Sequence, residues 1–324
     1  FSFAVLLYYG YEIYQQAPPI PEEVVTTEGQ VLFTGQEIKD GQNVWQSMGG
    51  QEVGTIWGHG AYVAPDWTAD WLHREAIFIL NKFAQTDFKK DYDAVTEEQQ
   101  AALQIRLQKD LRTNTYNSTT GEITISQNRA EAIAYLSDYY KGLFTNDPAF
   151  DKLRSDYAIP KNAIKDDVRM DQMSAFFFWA TWATVTERPF SNVSYTHNWP
   201  SDELVGNVPT TDLMVWSGVS IILLILCIGI LVFYHVKSGE DESIPAPSED
   251  PLLKEGMTPS MHLIKKYFWV VSLLMVLQML LGVITAHYGV EGNGFYGFPL
   301  DQYLSLLPIL RCLSYAVCSS LSSP

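Results

Sequence analysis

Two long apolar runs interrupt an otherwise mixed pattern of hydrophobic and polar positions. Residues 213–236 contain no Lys, Arg, Asp or Glu, and residues 267–288 form a second run of the same kind. A helix needs about 20 apolar residues to cross a hydrocarbon core about 30 Å thick. Aromatic side chains flank both runs, as they do at membrane interfaces. The pattern therefore predicts transmembrane helices over 213–236 and 267–288.

A shorter apolar run occupies residues 1–14 and carries four tyrosines towards its C-terminal end. The hydrophobic region of a signal peptide is one interpretation, but neither a basic start nor a small-residue cleavage site accompanies it. We interpret the run instead as the end of a first transmembrane helix whose beginning is missing. The three runs leave a long segment, residues 15–212, and a short linker, residues 237–266, on opposite sides of the membrane.

The distribution of charge predicts the orientation of these segments. Short loops rich in Lys and Arg stay in the cytoplasm, whereas long domains cross the membrane largely regardless of their charge. The linker 237–266 carries four lysines, while residues 15–212 carry 28 acidic and 16 basic residues. We therefore expect the linker in the cytoplasm and residues 15–212 outside it, which in a bacterium is the periplasm. The reverse orientation stays open because the linker also carries six acidic residues.

Within residues 15–212, apolar residues at helical spacing predict a mainly helical domain. The predicted helices have start or stop signals, such as a capping Asp or Thr, a capping box or an Arg-Pro pair. Aromatic side chains are spread along the segment, which argues against a disordered linker. The predicted elements are helices from Asp66 or Thr68 to about Phe88, from Thr96 to about Arg112, over 128–144 and over 174–185, with a short strand or extended edge at 123–126.

Residues 44–67, VWQSMGGQEVGTIWGHGAYVAPDW, combine three tryptophans with many glycines. Glycine costs about 1 kcal/mol per position in a helix interior, so the stretch predicts loops wrapped around another group. None of the chain's three cysteines lies between residues 15 and 212, which excludes a disulfide, a thiolate metal site and a covalently attached haem c there. The formal net charge of −16 argues against a nucleic-acid partner.

The stretch VWQSMGGQEVGTIWGHGAYVAPDWTADWLHRE resembles the N-terminal domain of the quinol-dependent nitric oxide reductases, the single-chain members of the haem–copper oxidase superfamily. The resemblance continues through FFFWATWATVTERP, YTHNWPSDELVGNVPT and GVITAHYGVEGNGFYGFPLDQY, and it covers roughly residues 1–303. It implies a mainly α-helical, multi-pass protein of the bacterial inner membrane. The implied fold is a cytochrome c-like periplasmic domain without haem c, joined to transmembrane helices.

In the cytochrome c-dependent relatives, a C-x-x-C-H attachment motif stands where this chain has VWQSMGGQ. Covalent attachment of haem c requires thiols and a histidine ligand to the iron. The resemblance therefore implies a domain that has lost its haem. Trp45, Met48 and Trp57 are expected to fill the vacated pocket, because an empty apolar cavity of that size would be costly.

The resemblance also implies a candidate calcium contact at Gly60 and Tyr62. The matching residues of the haem c relatives help to bind a calcium ion, and calcium accepts backbone carbonyl and other oxygen ligands. A tight turn that docks the domain on the membrane part is the alternative interpretation.

The remaining ionisable residues show no spacing typical of a catalytic or metal site. We interpret the histidines as surface, helix-end or loop-anchoring residues. Glu187 and Arg188 are interpreted as an ion pair or as anchors of the domain. The histidines concerned are His59, His73, His197, His235, His262 and His287.

The family reaction joins two NO molecules with two electrons from membrane quinol and two protons to give N₂O and water. It requires a low-spin haem b, a high-spin haem b (haem b3) and a non-haem iron, held by histidines and a glutamate on later transmembrane helices. In this chain residues 289–303 are expected to form a periplasmic loop. Residues 304–324 contain no histidine, and their composition indicates a changed reading frame.

We therefore expect an N-terminal fragment of a nitric oxide reductase that is inactive by itself and holds none of these cofactors. Its expected partner is membrane lipid, with quinol and NO as partners of the parent enzyme. The alternative is a non-catalytic, membrane-anchored periplasmic binding or interaction module. A membrane-anchored electron carrier is disfavoured, because the C-x-x-C-H motif is absent.

Overall fold

The computed structural model describes residues 2–61, 63–239 and 259–291. The chain divides into two compact units, Phe1–Ser217, called the N-terminal unit below, and Gly218–Pro324. The helices are α1 (Ser2–Gln15), α2 (Gly35–Ser47), α3 (Trp67–Phe88), α4 (Glu97–Arg112), α5 (Gln127–Phe144), α6 (Asp151–Asp156), α7 (Asp167–Val185), α8 (Thr211–Gly239) and α9 (Pro259–Glu291). The strands are β1 (Glu23–Thr26), β2 (Val31–Thr34), β3 (Tyr116–Asn117) and β4 (Glu122–Ile125).

Helix α7 forms the centre of the N-terminal unit. It is buried almost without interruption from Met173 to Val185, and α2, α3 and α5 pack against it. α2 crosses α7 at Gly41, where an added Cβ would collide with the backbone carbonyl of Gln172 and lie 2.7 Å from Cβ of Phe176. Glycine at this position therefore allows the two backbones to approach closely.

A small four-stranded sheet, of order β2-β1-β4-β3, covers one side of this core. β1 pairs in parallel with β4, while the β1–β2 and β3–β4 pairs are antiparallel. Of these strands, the sequence predicted only β4, at 123–126. The others are two to four residues long.

The local helix signals of the N-terminal unit are confirmed. The Asp66 side chain caps α3 by accepting a hydrogen bond from the N–H of Ala69, and a capping box starts α4 at Thr96. Helices α3, α4 and α5 occupy nearly the predicted ranges. α7 begins at Asp167, earlier than the predicted 174, because Asp166 caps a polar first turn.

The prediction of loops throughout residues 44–67 is wrong at its start. Val44 and Trp45 belong to the last turns of α2, and residues 50–53 form a 3₁₀ turn. Both Val44 and Trp45 are buried in the core, so packing against neighbouring helices outweighs the composition of the stretch. Residues 54–61 and 63–66 are irregular, as predicted.

Helices α8 and α9 contain the two predicted spans, and both are long and apolar enough to cross a membrane. α9 extends beyond the predicted 267–288 at both ends. α1 is a helix with exposed apolar side chains, and its place in the membrane stays a prediction. Most of the linker, residues 240–258, lies outside the described residues, as do residues 292–303 and the tail 304–324.

Candidate functional site

The glycine-rich loop, residues 54–66, is organised by the buried carboxylate of Asp66. Oδ2 accepts hydrogen bonds from the Thr55 hydroxyl at 2.7 Å and from the backbone N–H of Gly58 at 2.6 Å. Oδ1 accepts from the backbone N–H of Ala69 at 3.0 Å and from the Thr68 hydroxyl. The group around which this loop wraps is therefore the capping carboxylate of α3.

Three indole N–H groups, each bonded to a backbone carbonyl, connect this loop with other parts of the N-terminal unit. Trp67 Nε1 donates to the carbonyl of Val53 at 2.9 Å, and a Cβ on Gly54 would collide with this indole ring. Trp57 Nε1 donates to Ala180 of α7 at 2.9 Å. Trp199 Nε1 donates to Gly58 at 3.1 Å. The loop is thus held in place by contacts with distant parts of the sequence.

The residues predicted to fill a haem pocket lie in or against one hydrophobic core. Trp45 is buried, with its ring centroid 5.9 Å from that of Phe176 on α7. Trp57 is half-buried, and its ring lies 5.7 Å from that of Trp179, also on α7. Met48 packs at the edge of the same core. The space beside this face of α7 is therefore occupied by side chains.

These residues do not fit a covalently bound haem c. The last turn of α2 and the residue after it offer Trp45, Gln46, Ser47 and Met48, with neither a thiol nor an imidazole. Haem c needs both groups, and the indole of Trp45 is packed on α7 instead. The replacement of haem by these side chains stays a prediction, because their packing does not reveal what an ancestor held.

The loop's own described residues do not by themselves fit a calcium ion. Gly60 adopts a φ of 90°, and its N–H donates to the Thr55 hydroxyl at 2.9 Å. Tyr62 lies outside the described residues. Calcium takes 6–8 oxygen ligands, whereas both oxygens of Asp66 already accept hydrogen bonds. Gly60 could contribute one carbonyl, so further oxygens would have to come from elsewhere.

A second cluster, which the sequence analysis missed, surrounds Arg112 at the end of α4. Its guanidinium donates to the Glu187 carboxylate at 3.1 Å and to both side-chain and backbone oxygens between residues 192 and 207. The additional acceptors are the carbonyls of Asn192 and Gly206 and the Oδ1 atoms of Asn198 and Asn207, at 3.0–3.2 Å. The only available signal was a basic residue in the last turn of a helix, which is common.

Glu187 and Arg188 do not pair with each other in this arrangement. Glu187 pairs with Arg112, whereas Arg188 donates to Oε1 of Gln16 at 3.0 Å and to the carbonyls of Ser194 and Tyr195. The mutual ion pair is therefore wrong, while a role of these two residues as anchors of the domain stays a prediction.

The histidines of the described residues are dispersed over surfaces. His59 is exposed beside the Trp199 ring, His73 is largely exposed and bonded to Asp202 at 2.9 Å, and His197 is exposed in a loop. Across residues 2–61, 63–239 and 259–291, no group of three or more His, Cys, Asp or Glu side chains could hold a metal ion. The side chain of His287 lies outside this description.

The clearest electrostatic perturbations lie in the core between α3 and α5, away from the glycine-rich loop. Burial raises the pKa of Glu75, and its partner Arg129 opposes that rise. Burial also raises the pKa of Tyr139 to about 12. Perturbed pKa values can mark functional sites, but the side chains of Glu75 and Arg129 are buried and have almost no contact with solvent. We interpret this pair as structural.

Residues 21–201 match the family model of the cytochrome c-like domain of the nitric oxide reductase NorB. The matched range includes α2 to α7 and the whole glycine-rich loop. No curated protein matches the chain.

Proposed function

Because the chain belongs to the NorB nitric oxide reductase family by its cytochrome c-like domain, we propose that it is the N-terminal part of a quinol-dependent, single-chain nitric oxide reductase. The parent reaction would convert two NO, two electrons and two protons into N₂O and water. The observation that supports quinol as the donor is the last turn of α2, where Trp45 packs on α7 and no thiol is present. Without haem c, this domain offers no relay from a soluble cytochrome c.

The domain would then act as a scaffold without redox chemistry of its own. The haem b, haem b3 and non-haem iron of the parent would be held by other transmembrane helices. The histidines support this assignment: His59, His73 and His197 lie in the N-terminal unit, while His235 and His262 lie near helix ends. A calcium contact at Gly60 and Tyr62 would need oxygens from outside the loop.

An activity assay tests the proposed electron donor. Membranes that express the whole gene to which these residues belong, in a strain without other nitric oxide reductases, should consume NO with quinol but not with reduced cytochrome c. Residues 1–324 expressed alone should show neither NO consumption nor a haem α-band, because residues 2–61, 63–239 and 259–291 contain no group of three or more side chains that could hold a metal ion. Consumption driven by cytochrome c alone would contradict quinol dependence.

The same assay distinguishes the alternative, a non-catalytic periplasmic binding or interaction module. One observation favours that alternative: an open cavity of about 520 Å³ lies along α3, lined by His73 and Phe78 among others of that helix and by Tyr135 of α5. If the whole gene supports no NO consumption with either donor although the protein reaches the membrane, the module becomes the better assignment.

The proposed topology places the N-terminal unit in the periplasm and the segment after α8 in the cytoplasm of a multi-pass inner-membrane protein. Alkaline phosphatase fused after Pro209 should therefore be active, because that enzyme folds only outside the cytoplasm. The same reporter fused after Pro247 should be inactive, with a cytoplasmic fluorescent reporter as the matched control at both positions. The reversed pattern of activities would invert the orientation.

A further inference from the structure

The segment of residues 186–208 lies close to the two points where the folded domain continues into α1 and α8. Arg188 Nη1 donates to Oε1 of Gln16, the residue directly after α1, at 3.0 Å. At the other end, Asn198 Nδ2 donates at 3.2 Å to the carbonyl of Val208, three residues before α8 begins. Tyr14 near the end of α1 and Trp216 in the first turns of α8 are the aromatic residues expected at an interface.

Within this segment, residues 188–194 form an ordered loop. The N–H of Arg188 donates to the carbonyl of Val193 at 2.9 Å, and the N–H of Ser191 donates back to Arg188 at 3.1 Å. Arg112 donates to the carbonyl of Asn192 at 3.1 Å from outside the loop. These bonds hold the tip of the loop, which is Phe190, in a defined position.

Phe190 combines two unfavourable features. Its side chain is fully exposed to solvent. Its backbone has a φ of 62°, in the left-handed region that bulky residues rarely adopt. A backbone outlier supported by its surroundings can indicate function, and here the loop presents an aromatic ring outward although glycine would suit the backbone better.

We propose that Phe190 is a membrane-interface anchor whose ring inserts into lipid beside the exit of α1. Phe, like Trp and Leu, is used by interfacial segments to bury apolar surface at the boundary between head groups and acyl chains, and insertion removes the apolar ring from water. The polar residues beside it, Glu187, Arg188 and Asn192, line an open cavity of about 790 Å³ together with Phe190 and would lie at head-group level. The proposal rests on the membrane placement of α1 and α8 proposed above.

A spin label at position 190 tests the anchor in the full chain reconstituted into lipid vesicles. Cys227, Cys312 and Cys318 are first replaced by Ser, and F190C is then labelled. Because Phe190 is fully exposed, this substitution removes no packing within the described structure. Two labelled controls are V168C, an exposed site about 25 Å along α7 from Val185, and I225C in the middle of α8.

The measurement compares collision of the label with oxygen, which concentrates in lipid, and with a water-soluble nickel chelate. The label at 190 should favour oxygen severalfold, as at 225, whereas the label at 168 should favour the chelate. Preference for the chelate at 190 would overturn the anchor, and protection from both reagents would overturn it in favour of contact with protein. Preference for the chelate at 225 would overturn the membrane placement and the anchor together.

Discussion

Gly41→Ala should destabilise the N-terminal unit by about 2 kcal/mol, although alanine is the better helix former by about 1 kcal/mol. The reason is the close crossing of α2 and α7. A Cβ at position 41 would overlap the backbone carbonyl of Gln172, which cannot move away as the end of a flexible side chain could. Relief would require the two helices to separate, and the packing of Trp45 against Phe176 would then loosen as well.

The matched control is Gln42→Ala, at the exposed neighbouring position of the same helix. This change should alter the stability by no more than a few tenths of a kcal/mol, because both residues are good helix formers. The measurement is the urea midpoint of the full chain in detergent, followed by tryptophan fluorescence. Equal midpoints for both variants would show that α2 and α7 tolerate a wider separation.

The elements predicted correctly are those whose signals lie within a few residues of each other. The cap at Asp66 and the capping box at Thr96 are local hydrogen-bond patterns, so the sequence alone indicates where α3 and α4 begin. β1 is different, because it is defined by pairing with β4 about a hundred residues later. Helix α2 was missed for a similar reason: its apolar face is stabilised by α7, and its glycines lower its intrinsic propensity.

The candidate site shows the same division between local and distant contacts. The sequence assigned Asp66 one role, as a helix cap, whereas the folded carboxylate also closes the glycine-rich loop through Thr55 and Gly58. Trp57 was expected to occupy a pocket, but its partners on α7 are more than a hundred residues away. Arg112 was recognised only as a helix end, because its acceptors between residues 187 and 207 converge only in the fold.

Arg129→Met should cost about 3–5 kcal/mol at neutral pH, because it leaves the carboxylate of Glu75 buried without its charged partner. Arg129 Nε lies 2.7 Å from Oε1 of Glu75, and the two side chains are 3% and 0% exposed. In the described structure Nη2 of Arg129 has no hydrogen-bond partner, so the pair itself is incompletely satisfied. The double variant Glu75→Leu with Arg129→Met should therefore recover most of the loss, since apolar replacement of a buried pair is often neutral.

Arg129→Met could lower the stability in two ways: it leaves the charge of Glu75 unpaired, and it removes the guanidinium that lies 5.1 Å from the centre of the Phe178 ring. The pH dependence of the stability cost distinguishes these two causes. Burial already raises the pKa of Glu75, and removal of Arg129 takes away the main influence that lowers it. A carboxyl group whose pKa is higher in the folded than in the unfolded state favours folding at low pH. This contribution to stability is lost as the pH rises from the ordinary glutamate pKa of about 4.3 through the pKa of the folded state. The cost of Arg129→Met, measured by urea unfolding relative to the parent chain, should therefore be smaller near pH 4 than at pH 7. A cost independent of pH would attribute the loss to packing alone.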